Sequence, residues 1–392
     1  MSSVGTSSLR PRFSGPGAVP TSVHRGVKEF VAWVDGARDT GEVQLNPAAP
    51  DAQLLVVEQM LGGPLPADLR LVLTRFNGGR LPVGDLMPAG IEPGTIGAEV
   101  RVYAESVGKD FLDPELLLPF LRTAEGSLLA FDRSAGPVSD TWPIVDYYPD
   151  TGDHRLIHRT FDGWCSRCVA EWTSDDWGAD FSVDTYLRAG LRHVYVEPDV
   201  ATAYATVAHA HRRAGQPKEA LAAYLKASRC VPPLHWVDWE ALKLAALLFD
   251  PRAGLEALTR LASWAPVERW SERETQPGRV AEVAAFIAVR VSDKDPWISL
   301  LAQIEAQGLE ETNIVQAIRV ALENNEPLPP PRSPREESVV PRDADVDIWY
   351  HNVRIAYTQG ALRDDDLLLD PTLRSLSNVR DFADVIRIRR DF

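Results

Sequence analysis

Two shifts in the character of the 392-residue sequence predict its fold class. Up to about residue 79 apolar residues recur at helical spacing. Short strand-like runs with turn punctuation follow, and then one closing helix, an order that defines an α+β domain. After Pro198 the chain becomes Ala- and Leu-rich with helical periodicity. We therefore expect an α+β N-terminal domain, with helices around a mostly antiparallel sheet, followed by an all-α C-terminal solenoid of helix pairs. At about 100–200 residues per domain the length accommodates both. The expected parts are a disordered tail over 1–22, the α+β domain over 23–180, helical repeats over 199–325, a Pro-rich linker or strap over 326–347, and a helical cap over 348–392.

The tail is rich in Ser, Gly and Pro and poor in apolar residues. From Val23 to Arg38, Val27, Phe30, Val31 and Val34 form a helical stripe closed by Gly36 and Gly41. Asp51 is placed to start a second helix, which carries Leu54, Leu55, Val57 and Leu61 and stops at Gly62–Gly63. Pro66 sits where a helix's first turn tolerates its missing donor. Leu69, Val72, Leu73 and Phe76 follow as one stripe, and Asn77-Gly78-Gly79 ends it. Strand character marks Glu99–Tyr103, Ser127–Asp132, Trp142–Tyr148 and Arg155–Thr160, while Leu116–Phe120 leads into a turn at Glu125-Gly126. Phe161–Trp172 reads as a helix turning Phe161, Trp164, Cys168 and Trp172 inward.

The run Val57 to Gly79, VEQMLGGPLPADLRLVLTRFNGG, resembles the opening of the SUKH superfamily of fungal cell-wall assembly regulators and bacterial immunity proteins. Later steps of that pattern have counterparts in Pro119-Phe120, Gly126, Leu128–Asp132, Trp142–Asp150 and Phe161–Trp164. One departure is Ser127 after Gly126, where the family has Asp. The resemblance covers about residues 27–175 and rests on structural motifs. It implies a fold and a protein-binding role, and no chemistry.

In the second half, Ala201–Pro232 (ATAYATVAHAHRRAGQPKEALAAYLKASRCVP) looks like a tetratricopeptide repeat, with His211 where a Tyr is usual. Small residues at Ala208 and Ala220 let two helices approach, Gly215 turns the chain and Pro232 stops it. One repeat cannot bury its own faces. Asp238–Pro266 has the same shape with a degenerate turn, Gly278–Arg290 and Asp295–Gln307 read as a third pair, and Glu311–Asn324 adds a helix. Ile348–Ala361 is a further helix. Leu367–Ile386 resembles the tail that often caps such repeats.

The formal net charge is -15, from 41 Lys and Arg against 56 Asp and Glu. Residues 48–180 hold 21 acidic and 10 basic residues, a net of -11. Such a balance disfavours nucleic acid and anionic lipid as partners, because phosphate contacts need clustered bases. No apolar run approaches a membrane span, the start lacks the apolar core of a secretory signal, and three cysteines in so long a chain fit the cytoplasm.

Catalytic, metal and cofactor sites are not expected. Cys165 and Cys168 have no second pair at zinc spacing and read as packed helix residues. Nothing around Cys165 and His158 favours a thiolate, and the Gly pairs lack a phosphate-loop context. We expect a non-enzymatic binding protein with a protein partner. As an immunity-type protein it would bind a basic toxin domain through Asp140, Trp142, Asp146, Tyr147, Tyr148 and Asp150. As an adaptor it would use the domain and the repeats as two docking sites, taking a peptide or protein in a groove lined by Thr202, Ala205, His209 and Arg212. Ala205 and His209 argue against the chaperone-type carboxylate clamp.

Overall fold

The structure is a computed structural model. It describes residues 24–106, 116–133, 142–150, 154–230, 234–264, 277–306, 313–324, 346–370, 373 and 382–390. The tail over 1–22, Asp140 and residues 326–345 of the Pro-rich stretch lie outside the described residues. The chain divides into two compact units, Met1–Trp177 and Gly178–Phe392.

The first unit is α+β. Its helices are α1 (Arg25–Ala37), α2 (Asp51–Leu61), α3 (Ala67–Arg75), α4 (Ile96–Ser106) and α5 (Phe161–Trp172). Its strands are β1 (Gln44–Leu45), β2 (Gly79–Leu81), β3 (Gly84–Leu86), β4 (Leu117–Thr123), β5 (Leu128–Asp132), β6 (Ile144–Tyr147) and β7 (His154–His158). Among the described residues these make a seven-stranded sheet in sequence order, every neighbouring pair antiparallel.

The Pro119-Phe120 step has a local cause. Pro119 lacks an N–H, and the β4–β5 register shifts between Pro119 and Leu121, the kind of irregularity that tolerates proline inside a sheet. Phe120 is fully buried, its ring centroid 5.1 Å from Phe131, 5.2 Å from Phe161 and 5.1 Å from Trp164. The Thr160 hydroxyl caps α5 by accepting from the Gly163 N–H at 3.0 Å. Cys168 and Trp172 continue the buried stripe, and Trp172 reaches Trp33 of α1 at 4.5 Å.

Two local expectations are corrected. Glu99–Tyr103 is not a strand but the middle of α4. Its Val residues favour β structure intrinsically, yet Ile96 and Val100 turn inward four residues apart while Val102 is exposed, which is helical spacing. Glu99 pairs with Arg122 of β4 at 2.7 Å and fixes the packing. Leu116–Phe120 is more than a lead into a turn, because it opens β4. The first five residues of that strand are all buried, so it shows no alternation to read. Strands β2 and β3, three residues each, are too short to show a pattern in sequence; a Cβ on Gly79, at φ +127°, would lie 2.2 Å from the Gln44 carbonyl oxygen. Only glycine lets β1 come that close.

The second unit is all-helical, consistent with helical repeats. It comprises α6 (Val183–Val196), α7 (Ala201–Arg213), α8 (Pro217–Ala227), α9 (His235–Leu247), α10 (Pro251–Trp264), α11 (Pro277–Ala288), α12 (Asp295–Ala306), α13 (Asn313–Asn324), α14 (Val346–Thr358) and α15 (Asp364–Leu369). Helix α6, capped by Ser182 and Thr185, was not anticipated and packs on α7. Helices α7 and α8 pack together, as do α9 and α10. The third pair is a correction: α11 packs chiefly against α13, while α12 lies against α10 and α13. Every side chain from Val283 to Ala288 is buried, so α11 has neighbours on all sides. The C-terminal cap folds back, with α15 resting on α9 and α11. Among the described residues no helix is long and apolar enough to cross a membrane.

Candidate functional site

Antiparallel strands in sequence order send alternate connections to the same end of a sheet. The β2–β3, β4–β5 and β6–β7 turns therefore share one end. This end holds the exposed remainder of the acidic and aromatic group expected to bind a partner.

Trp142 and Tyr147, expected there as anchors, are buried at 4% and 3% exposure and cannot be. Trp142 packs 6.4 Å from Phe131 with the Arg133 guanidinium 5.7 Å from its ring. Burial raises the Tyr147 phenol pKa. The core takes both aromatics, Trp142 from just before β6 and Tyr147 from its last position. Asp146 is also buried, and its Oδ2 accepts from the Tyr148 hydroxyl at 2.9 Å and from Arg155 Nη2 at 2.9 Å. It positions its neighbours and offers no open carboxylate to a partner.

Tyr148 and Asp150 do reach solvent. The Tyr148 ring carries the Arg155 guanidinium 5.7 Å from its centroid. Burial raises its pKa, and the bond to Asp146 and the charges of Asp146 and Glu125 raise it further, so the phenol stays a donor. Glu125, exposed on the β4–β5 turn, was missed as a site residue. The signal was available, since counting hairpins puts its turn beside Tyr148.

The residues expected to line a repeat groove lie on α7. Thr202 is half-buried, Ala205 buried and His209 exposed. Arg212 is buried and already engaged by this chain. Its Nε donates to Asp364 Oδ2 at 2.8 Å, Nη2 donates to Asp364 Oδ1, and Nη1 donates to the Ile386 carbonyl at 2.8 Å. Tyr357 donates its hydroxyl to Asp364 Oδ1 at 2.7 Å. The groove at this point is filled by the chain's own cap, which corrects the expectation of an open Arg212.

Beside that pair lies a polar cavity of about 230 Å³. Helix α7 presents His209 and Arg212, α8 Tyr224, α9 Glu240 and Lys243, and the cap Arg363, Asp364, Asp365 and Arg390. Lys243 Nζ lies 2.6 Å from both Glu240 Oε1 and Asp365 Oδ1. Burial would lower its pKa, but those two carboxylates raise it. For Asp364, burial works upward and is outweighed by Arg212, so its pKa is lowered. Burial raises Glu240 against the pull of Lys243. The His209 ring is open to solvent at the mouth, yet surrounding protein, then Arg213, Arg390 and Arg212, lower its pKa.

Cys165 and Cys168 are buried free thiols. Burial raises both pKa values, that of Cys165 far above the ordinary thiol range, which disfavours the thiolate that nucleophilic or metal chemistry needs.

The fold and site define a protein with an α+β module, built on a sequential antiparallel sheet with an acidic, aromatic end, joined to an all-helical module. Residues 48–167 match the sequence model of the SMI1 / KNR4 family (SUKH-1), and this segment is a SUKH domain. No curated protein and no solved structure matches the chain.

Proposed function

We propose that this chain is a non-enzymatic protein-binding protein of the immunity type, whose SUKH domain captures and neutralises a basic toxin domain. The carrying observation is the sheet end, where Tyr148 stands exposed with Glu125 and Asp150, inside a segment of net charge -11. An aromatic anchor rimmed by carboxylates suits capture of a basic surface. Long-range attraction of this kind acts mainly on the association rate and weakens with salt. A cytoplasmic setting belongs to the reading, in keeping with three buried cysteines that form no disulfide.

The test is co-expression of the chain with toxins encoded beside its gene. Growth rescue that fails in a Glu125→Lys/Asp150→Lys variant supports the reading. Rescue from none of them, or equal rescue by the variant, refutes it.

The adaptor reading is favoured by one feature, a helical unit with a core of its own. In that reading α7–α8 and α9–α10 are tetratricopeptide-like repeats that hold a second protein. A partner retained by Glu125→Lys/Asp150→Lys but lost on Thr202→Glu/His209→Glu would favour it.

A further inference from the structure

The polar cavity of the helical unit is unbalanced in charge, and two buried donors in its wall are unused. Arg212 satisfies Asp364, and Lys243 satisfies Glu240 and Asp365. Arg363 and Arg390 also line the cavity, yet neither has a carboxylate within ion-pair distance among the described residues. The Arg390 guanidinium lies 4.5 Å from the Tyr357 ring centroid, and its Nε is buried without a hydrogen-bond partner. Tyr224 is 1% exposed, and its hydroxyl is likewise buried with no partner. A native fold rarely leaves such a group idle, and each case asks for an explanation.

These donors share a chemistry. A guanidinium presents its N–H groups in a planar fork that matches a carboxylate or a phosphate, and a neutral phenol adds a third donor. Every carboxylate in the wall is already paired, so an entering anion meets an excess of donors. A cavity of about 230 Å³ holds a compact anion and excludes a folded partner. The floor is stiff, because the buried Arg212–Asp364 pair is tied to Ile386 and Tyr357. The Arg390 N–H donates to the Arg213 carbonyl at 2.8 Å and holds the segment that carries its guanidinium.

We propose that this cavity binds a small oxyanion, a carboxylate or a phosphate, gripped by Arg363, Arg390 and the Tyr224 hydroxyl. The inference is independent of the sheet end and of what docks there.

The test is calorimetric titration of the full chain with inorganic phosphate and, separately, with succinate, in low-salt buffer. Sodium chloride at matched ionic strength serves as the control. Saturable binding of either anion, absent with chloride, is expected, and the tighter of the two identifies a phosphoryl or a carboxylate ligand. Arg390→Gln and Tyr224→Phe should each weaken it about tenfold, the loss of one hydrogen bond to a charged group. Tyr224→Phe keeps the ring in the core, so it decides the matter even where Arg390→Gln disturbs the fold. Without anion its melting temperature should equal or exceed that of the wild type, because it deletes an unpaired buried hydroxyl. No saturable binding of either anion, or binding undiminished by Tyr224→Phe, overturns the proposal.

Discussion

Substituting Asp364 by Ala removes the acceptor for two donors of Arg212 and for the hydroxyl of Tyr357. Arg212, 4% exposed, would keep only the Ile386 carbonyl. Breaking a buried pair by deleting one partner costs about 3–5 kcal/mol, because the other charge stays buried without compensation. For a unit spanning Gly178–Phe392, about 2–4 °C per kcal/mol turns this into a melting shift of roughly 6–20 °C. The assay is urea and thermal unfolding of the full chain, scored on the transition of the helical unit. Arg212→Met/Asp364→Leu supplies the control, since removing both charges together should recover most of the loss. The sign with pH also follows. The folded pKa of Asp364 lies below its ordinary value, so its contribution is complete above the unfolded carboxylate's pKa and is lost as pH falls through the folded value. The gap in stability between wild type and Asp364→Asn should therefore be full at neutral pH and close in the acid range, below about pH 4. A loss under about 1 kcal/mol for Asp364→Ala, or a double variant as unstable as the single one, would refute the reasoning.

Two further outcomes are expected. A Cβ on Gly215, at φ +72°, would lie 2.1 Å from the Arg387 carbonyl oxygen, so Gly215→Ala should loosen the C-terminal segment. Limited proteolysis should then cut near residues 382–390 faster than in wild type, and equal rates would count against that contact. Cys165 and Cys168 should react with a thiol reagent at pH 8 only on unfolding, since both are buried and their pKa values raised; rapid labelling of the native protein would show the α5 stripe to be wrongly placed.

The first unit was legible in sequence wherever an element had one wet face and one dry face. Helices α1, α3 and α5 show clear stripes, Thr160 caps α5 and Gly62 stops α2. Strand β4 escaped because burial of both faces erases alternation, and α4 was misread because Val100 and Val102 favour strands locally while packing on β4 favours a helix. The site was legible in type but not in arrangement. An acidic, aromatic stretch was visible over 140–150, but its strand alternation did not separate Trp142 and Tyr147, which are buried, from Tyr148 and Asp150, which reach solvent.

The sequence by itself determined most of the helical segments, where the SUKH pattern runs and that much of the acidic excess falls within residues 48–180, because these depend on residues near one another in the chain. Only the tertiary structure decided which charges remain available. Arg212 and Asp364 lie 152 positions apart, and no local pattern foretells that they meet. Their pairing turns an expected open groove residue into a buried support. It also leaves the Arg390 Nε and the Tyr224 hydroxyl as the unsatisfied buried donors of the cavity, with the exposed Arg363 beside them. Burial and long-range pairing set the working charge of a group, and both are properties of the fold.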